Sequence, residues 1–144
     1  MANAKDVVER GWRAYIARDL DALAAAYAED AVLTVPGAPP AEGREAIRQL
    51  WSTFLDAFPH DSPTITRMTA EGDVVAVEFT SSGTNAGPLT LPTGDKIPAT
   101  GRHVELSGVS ISEVEGEHTK RETFYWDSAS FLMQLGLMPE PATA

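Results

Sequence analysis

The sequence predicts an α+β fold in which helices come first, a run of antiparallel strands follows, and the two pack as layers. Three observations carry this. Apolar residues recur at helical spacing as far as Phe58, the texture changes to two-residue alternation from Thr64, and a short "EGE" turn separates two long alternating stretches near the end.

Between Ala4 and Arg18, the residues Val8, Trp12, Tyr15 and Ile16 return at helical intervals, and Asn3 stands where an N-cap is favoured. Asp19 is placed to cap a second, alanine-rich helix over Leu20 to Tyr27, with Leu20, Leu23, Ala24 and Tyr27 on one narrow face. "AEDAVLTVPG" then turns the chain into a short strand at Ala31 to Val35. Beyond the proline-rich "PGAPPAEG", the residues Ile47, Leu50, Trp51, Phe54, Leu55 and Phe58 form a broad stripe that Pro59 ends. This is a third helix, and its aromatic face suits packing across a sheet.

"TITRMTAEGDVVAVEFTSSG" reads as two strands joined near "EGD", with Val75, Val77 and Phe79 alternating against Ala76, Glu78 and Thr80. Gly83 to Gly101 is rich in turn formers and predicts a long loop or an irregular hairpin. Two more strands follow, Arg102 to Glu115 and His118 to Trp126. In the first, Val104 and Leu106 share one parity and Val109 and Ile111 the other. A β-bulge at Ser107/Gly108 would bring all four to one face and bend the sheet. Leu132 and Leu135 face inward from a closing short helix with Gly136 at its C-terminal cap. The expected order is ααβαββββα in one domain, residues 1–144.

A chain of 144 residues is long enough to bury a core without staples. Its formal net charge of −10 repels phosphate backbones and anionic lipid, so neither nucleic acid nor a membrane surface is an expected partner. The absence of cysteine removes disulfides, thiolate nucleophiles and zinc–thiolate sites. No basic-then-apolar leader opens the chain and no apolar run approaches the ~18 residues of a span, which points to a soluble, cytoplasmic protein. His60, His103 and His118 lie far apart without metal-site spacing, so no metal is expected. "SGVSIS" is not a nucleophile elbow, and the glycine-rich loops lack the Lys of a phosphate cradle.

The stretch "RETFYWDSASFLMQLGL" holds the candidate chemistry. On its strand Arg121, Thr123, Tyr125 and Asp127 share one face, and Glu122, Phe124 and Trp126 the other. With the first set facing a cavity, Asp127 lies in its wall beside a phenol, where lost hydration raises its pKa and makes it a stronger base. Asp127 equally suits the N-cap of "SASFLMQLG", and the two roles are compatible. An enolate formed by such a base needs a donor, and the candidates are Tyr125, Tyr15, Trp12 and His103. Tyr15 and Trp12 also suit plain core packing, and His103 a solvated strand end. Trp51, Phe54, Phe79 and Thr123 are expected to line the pocket. Apolar residues on both faces, Val74 with Val75 and Phe124 with Tyr125, predict a homodimer that buries the outer face of the sheet.

Four segments, "RDLDALAAAYAEDAVLTVPG", "GREAIRQLWSTFLDAFP", "PATGRHVELSGVSI" and "FYWDSASFLMQLGL", together resemble the SnoaL-like polyketide cyclases of the NTF2-like superfamily. The resemblance spans essentially the whole chain. It implies an NTF2-like cone, a curved antiparallel or mixed sheet wrapped around a long helix to form an apolar pocket, usually in a dimer or tetramer. It also implies that Asp127 matches the cyclases' general acid/base for intramolecular aldol closure, or serves a related isomerisation, without metal or organic cofactor, on a small apolar or polyketide-like carbonyl substrate. The alternative is a non-catalytic module that binds a small apolar molecule or only dimerises. The related ketosteroid isomerases carry a base aspartate where this chain has Val35, so isomerisation by that carboxylate is not expected.

Overall fold

In a computed structural model, residues 3–91 and 93–139 are described. The elements are α1 (Ala4–Ile16), α2 (Leu20–Ala25), β1 (Tyr27–Thr34), β2 (Ala41–Glu42), α3 (Arg44–Ala57), β3 (Thr64–Glu71), β4 (Val74–Thr84), β5 (Leu89–Thr90), β6 (Lys96–Ile97), β7 (His103–Glu115), β8 (His118–Trp126) and α4 (Ser128–Gln134). Six strands form one curved sheet in the order β2-β1-β8-β7-β4-β3. β3, β4, β7 and β8 make an antiparallel meander, and β1 joins its far side parallel to β8.

α1 begins at Asn3 through a reciprocal capping box: the Asn3 side chain accepts from the Asp6 amide, and the Asp6 carboxylate accepts from the Asn3 amide. The helix buries Val7, Val8, Trp12 and Ala14, while Ile16 is 50% exposed and lies off the buried stripe. α2 stops two residues before Tyr27. The carbonyl of Ala26 accepts from the Thr119 amide at 3.0 Å and Tyr27 pairs with Thr119, so sheet pairing overrides the helix propensity of the alanines. This places Tyr27 in β1 and turns its side chain into the core, where it is 4% exposed.

The alternation of β4 is realised as the pattern predicts, with Val75, Val77 and Phe79 buried. The expected bulge at Ser107/Gly108 is absent. β4 pairs with β7 without a break from Val74↔Glu113 to Thr84↔His103, and the one register shift between β7 and β8 falls at Glu113/Val114. Val104 therefore faces the helices, whereas Val109 and Ile111 lie on the opposite, outer side of the sheet. Glycine at 108 answers a packing constraint: a Cβ there would lie 2.6 Å from the Tyr125 carbonyl oxygen and 2.8 Å from the ring of Phe79.

The turn-rich segment after β4 is a small hairpin, β5 with β6. Asn85, 2% exposed, ties both of its ends. Its Oδ1 accepts from the amide and hydroxyl of Thr100 at 2.8 and 2.9 Å, and its Nδ2 donates to the carbonyls of Ala57 and Gly87 at 3.1 and 2.9 Å.

Two apolar clusters fill the interior. The larger joins α1, α3 and the sheet through Val7, Trp12, Leu33, Ile47, Trp51, Val77 and Phe124. The smaller, Phe58, Leu89, Val104, Phe131 and Leu135, joins the hairpin and α4 to the end of α3. Phe54 packs against both.

Candidate active site

A cavity of about 110 Å³ opens where the two clusters meet, with walls from α1, α3, β4, β8 and α4. Phe124 stands at the centre of its aromatic lining, with ring centroids 5.2 Å from Trp51, 5.7 Å from Phe79, 5.9 Å from Trp126 and 6.0 Å from Trp12. These tilted and edge-on contacts pack the rings around an apolar space.

Two carboxyl groups reach this wall, Asp61 and Glu122. Asp61 follows the end of α3, held by its amide to the Phe58 carbonyl at 3.3 Å and by the Ser62 amide to the Ser82 carbonyl at 2.9 Å. Gly83 faces it so closely that a Cβ there would come within 3.0 Å of the Asp61 Cα. Asp61 Oδ2 accepts from the Tyr15 hydroxyl at 2.9 Å, and Oδ1 accepts from Arg18 at 2.8 Å. Arg18 also donates to the carbonyls of Leu55 and Phe58, so the guanidinium joins the α1–α2 corner to the end of α3. Its backbone holds φ 59°, a left-handed conformation uncommon for a non-glycine residue. Burial raises the Asp61 pKa above the ordinary aspartate value, against the lowering effects of the Tyr15 hydrogen bond and the Arg18 charge. Burial, then the neighbouring Asp61 charge, pushes the Tyr15 phenol well up, so it stays a proton donor.

Glu122 is 6% exposed on β8. Its Oε1 accepts from the Tyr27 hydroxyl at 2.6 Å and its Oε2 from the Ser112 hydroxyl at 2.6 Å. Tyr27 in turn accepts from Trp51 Nε1 at 3.1 Å. Burial raises the Glu122 pKa, opposed only by those two hydrogen bonds, and burial also raises that of Tyr27.

The structure separates the residues singled out from sequence. Trp12, Tyr15, Trp51, Phe54 and Phe79 line the cavity together. Asp127 does not: it is exposed, and its Oδ1 accepts from the Ser130 amide at 2.9 Å as the N-cap of α4. Tyr125 is 59% exposed, and Thr123 shares its outward parity. His103 is exposed, 3.9 Å from Glu105. The physical reason is the facing of β8. Phe124 and Trp126 enter the aromatic cluster and Glu122 finds two hydroxyl donors, while Arg121 turns outward to Glu113 at 3.3 Å. The inward face of β8 is therefore the Glu122 set.

Sequence reasoning missed Asp61, Arg18, Tyr27, Ser112 and Glu122. Two signals were present: Glu122 has the parity of the large aromatics Phe124 and Trp126, and Asp61 lies in "FPHDSP" just past a helix-ending proline. Among the described residues no group of three or more His, Asp or Glu is arranged to hold a metal ion, and no helix is long and apolar enough to cross a membrane.

A curved mixed sheet closed over helices around an aromatic cavity defines an NTF2-like α+β protein. Within that class the chain belongs to the SnoaL-like domain family, whose model matches residues 8–121. Solved structures agree in fold. AclR, a candidate hydroxylase from Streptomyces galilaeus, is 20% identical over 96% of this chain and 84% of its own, with a TM-score of 0.78. IdmH, a candidate polyketide cyclase from Streptomyces antibioticus, is 26% identical over 94% of this chain and 99% of its own, with a TM-score of 0.75. An NTF2-like protein from Burkholderia pseudomallei K96243 is 17% identical over 94% and 98%, with a TM-score of 0.76. No curated protein matches the chain by sequence.

Proposed function

We propose that the chain is an enzyme that moves a proton at the carbon beside a carbonyl in a small apolar, polyketide-like substrate, with Asp61 as the acid/base group and no cofactor. The observation that supports it most is a carboxylate in an aromatic wall whose two oxygens are held separately, one by a phenol and one by a guanidinium. Each oxygen keeps a lone pair free for a substrate proton. The raised pKa brings the group nearer to the basicity that carbon deprotonation needs, a contribution of about 10²–10⁴ in rate for a well-placed base.

In an intramolecular aldol closure Asp61 takes the α-proton, the enolate carbon forms the new bond to a second carbonyl carbon, and the resulting alkoxide takes a proton back. An isomerisation uses the first half and returns the proton to another carbon. The likeness to IdmH supports the polyketide class of substrate.

The test is exchange of solvent deuterium into the α-carbon of aryl ketones, followed by NMR. The wild type is expected to catalyse exchange, and Asp61→Asn to lose it by about 10²–10⁴ while keeping its fold and ketone affinity, with a lowered melting temperature because the Arg18 pair is broken. Ketone binding without exchange in the wild type would instead mark a binding module, a reading the aromatic lining alone would satisfy.

A further inference from the structure

The Tyr27–Glu122 pair is left unused by that reaction, although both residues line the same cavity. Counting protons shows what it can do. With Glu122 ionised, Trp51 Nε1 donates to the Tyr27 oxygen, Tyr27 to Oε1 and Ser112 to Oε2, so every donor is consumed inside the network. With Glu122 neutral there is one proton more. Placed on Oε1 it donates to the Tyr27 oxygen, which then receives hydrogen bonds from both Glu122 and Trp51. The hydroxyl hydrogen of Tyr27 is thereby released from Glu122, and Tyr27 is one of the residues that line the cavity.

The surroundings favour the neutral form. The ion pairs among the described residues leave Glu122 out, whereas Asp61 in the same wall is paired with Arg18. The titratable groups lining the cavity are Tyr15 from α1, Tyr27 from β1, Asp61 after α3 and Glu122 from β8, none of them cationic. Burial without a cation drives a carboxyl toward its protonated form, and burial is the largest influence on this one, above the opposing hydrogen bonds of Ser112 and Tyr27. Two carboxyls in one cavity thus sit in opposed settings, one suited to accept a proton and the other to lend one.

We propose that Tyr27, backed by a neutral Glu122, is the hydrogen-bond donor for a ligand oxygen in this cavity, which selects a ligand carrying a carbonyl on an apolar body. This rests on the carbonyl-substrate reading above and assigns the group that steadies the enolate oxygen while Asp61 holds the carbon's proton. A donor fixed in an apolar wall is effective because it needs no reorganisation as charge develops.

The probes are acetophenone and α-methylstyrene, which have the same shape but differ in C=O against C=CH₂. Calorimetric affinities are measured for the wild type, Tyr27→Phe, Glu122→Gln and Asp61→Asn. The ketone-to-alkene affinity ratio is expected to fall about tenfold in Tyr27→Phe, as loss of one buried hydrogen bond requires, and to stay within about twofold in Asp61→Asn and in Glu122→Gln, whose amide still donates to the Tyr27 oxygen. A ratio unchanged by Tyr27→Phe, a tenfold fall in Glu122→Gln, an equal fall in Asp61→Asn, or no ketone binding to the wild type overturns the proposal. Infrared spectra decide the matter without variants: the C=O stretch of bound acetophenone is lowered in the wild type and reverts as Glu122 loses its proton at higher pH. A stretch insensitive to pH also overturns it. Deuterium exchange reports on Asp61 and the ratio on Tyr27–Glu122, so either assignment can fail alone.

Discussion

Gly108 stands directly opposite Phe79 in the β4–β7 ladder, and the ring of Phe79 occupies the space a side chain at 108 would need. Valine there must displace both the ring and the Tyr125 carbonyl. Gly108→Val is expected to destabilise by about 1–3 kcal/mol in urea unfolding. Adding Phe79→Leu should recover part of the loss, because the clash is shared. Strictly additive losses would show that the ring is not the obstacle.

Asp127 caps a short helix at the surface. Asp127→Ala is expected to cost about 0.5–2 kcal/mol, and Asp127→Asn close to nothing, since Asn caps equally well. Neither should alter ketone affinity or α-proton exchange. A variant of normal stability that loses exchange would return Asp127 to the chemistry.

Glu122 sets a pH dependence of stability whose sign follows from burial. Its folded pKa lies above the ordinary glutamate value of 4.5. Between those two values the folded chain keeps a proton that the unfolded chain has released, so stability falls as pH rises through that window. Its contribution is complete below 4.5 and is lost once the folded group ionises. Glu122→Gln should flatten this part of the curve, measured by unfolding midpoints across pH. A wild type whose stability rises through the window after allowance for Asp61 would contradict the assignment.

The outer face of the sheet carries Val109 opposite Tyr125, and Ile111 between Ala76 and Thr123. We expect two copies to pair across it, burying the exposed ring of Tyr125. Light scattering at micromolar concentration should give twice the chain mass, and Tyr125→Asp should halve it. A monomeric wild type would refute the pairing.

The order and class of the main elements were legible because periodicity and capping are local. Asn3, Asp19, Pro59 and the "EGE" turn each mark an element boundary by their own chemistry. The facing of β8 was not legible, because aromatics stand on both parities there and only the partner strands decide which side is buried. The same limit hid the role of Gly108, a matter of what Phe79 does across the ladder. Tyr27 was read as helical for a related reason: the alanines before it favour a helix, and the pairing with Thr119 that overrides them joins residues far apart in the chain. Asp61 and Arg18 meet across forty-three positions of sequence, and no spacing rule reaches that far.

Asn85 meets Thr100 through its side chain and Arg102 and Gly101 through its backbone, so the two ends of the intervening segment are fastened to each other at one residue. The hairpin and the main sheet are thereby separable parts. Chain of another length or composition inserted between those ends costs little closure entropy and leaves the ladder from β4 to β7 in register. A library built there would vary the surface that packs against Phe58 and Phe131 while leaving the lining of the cavity unaltered.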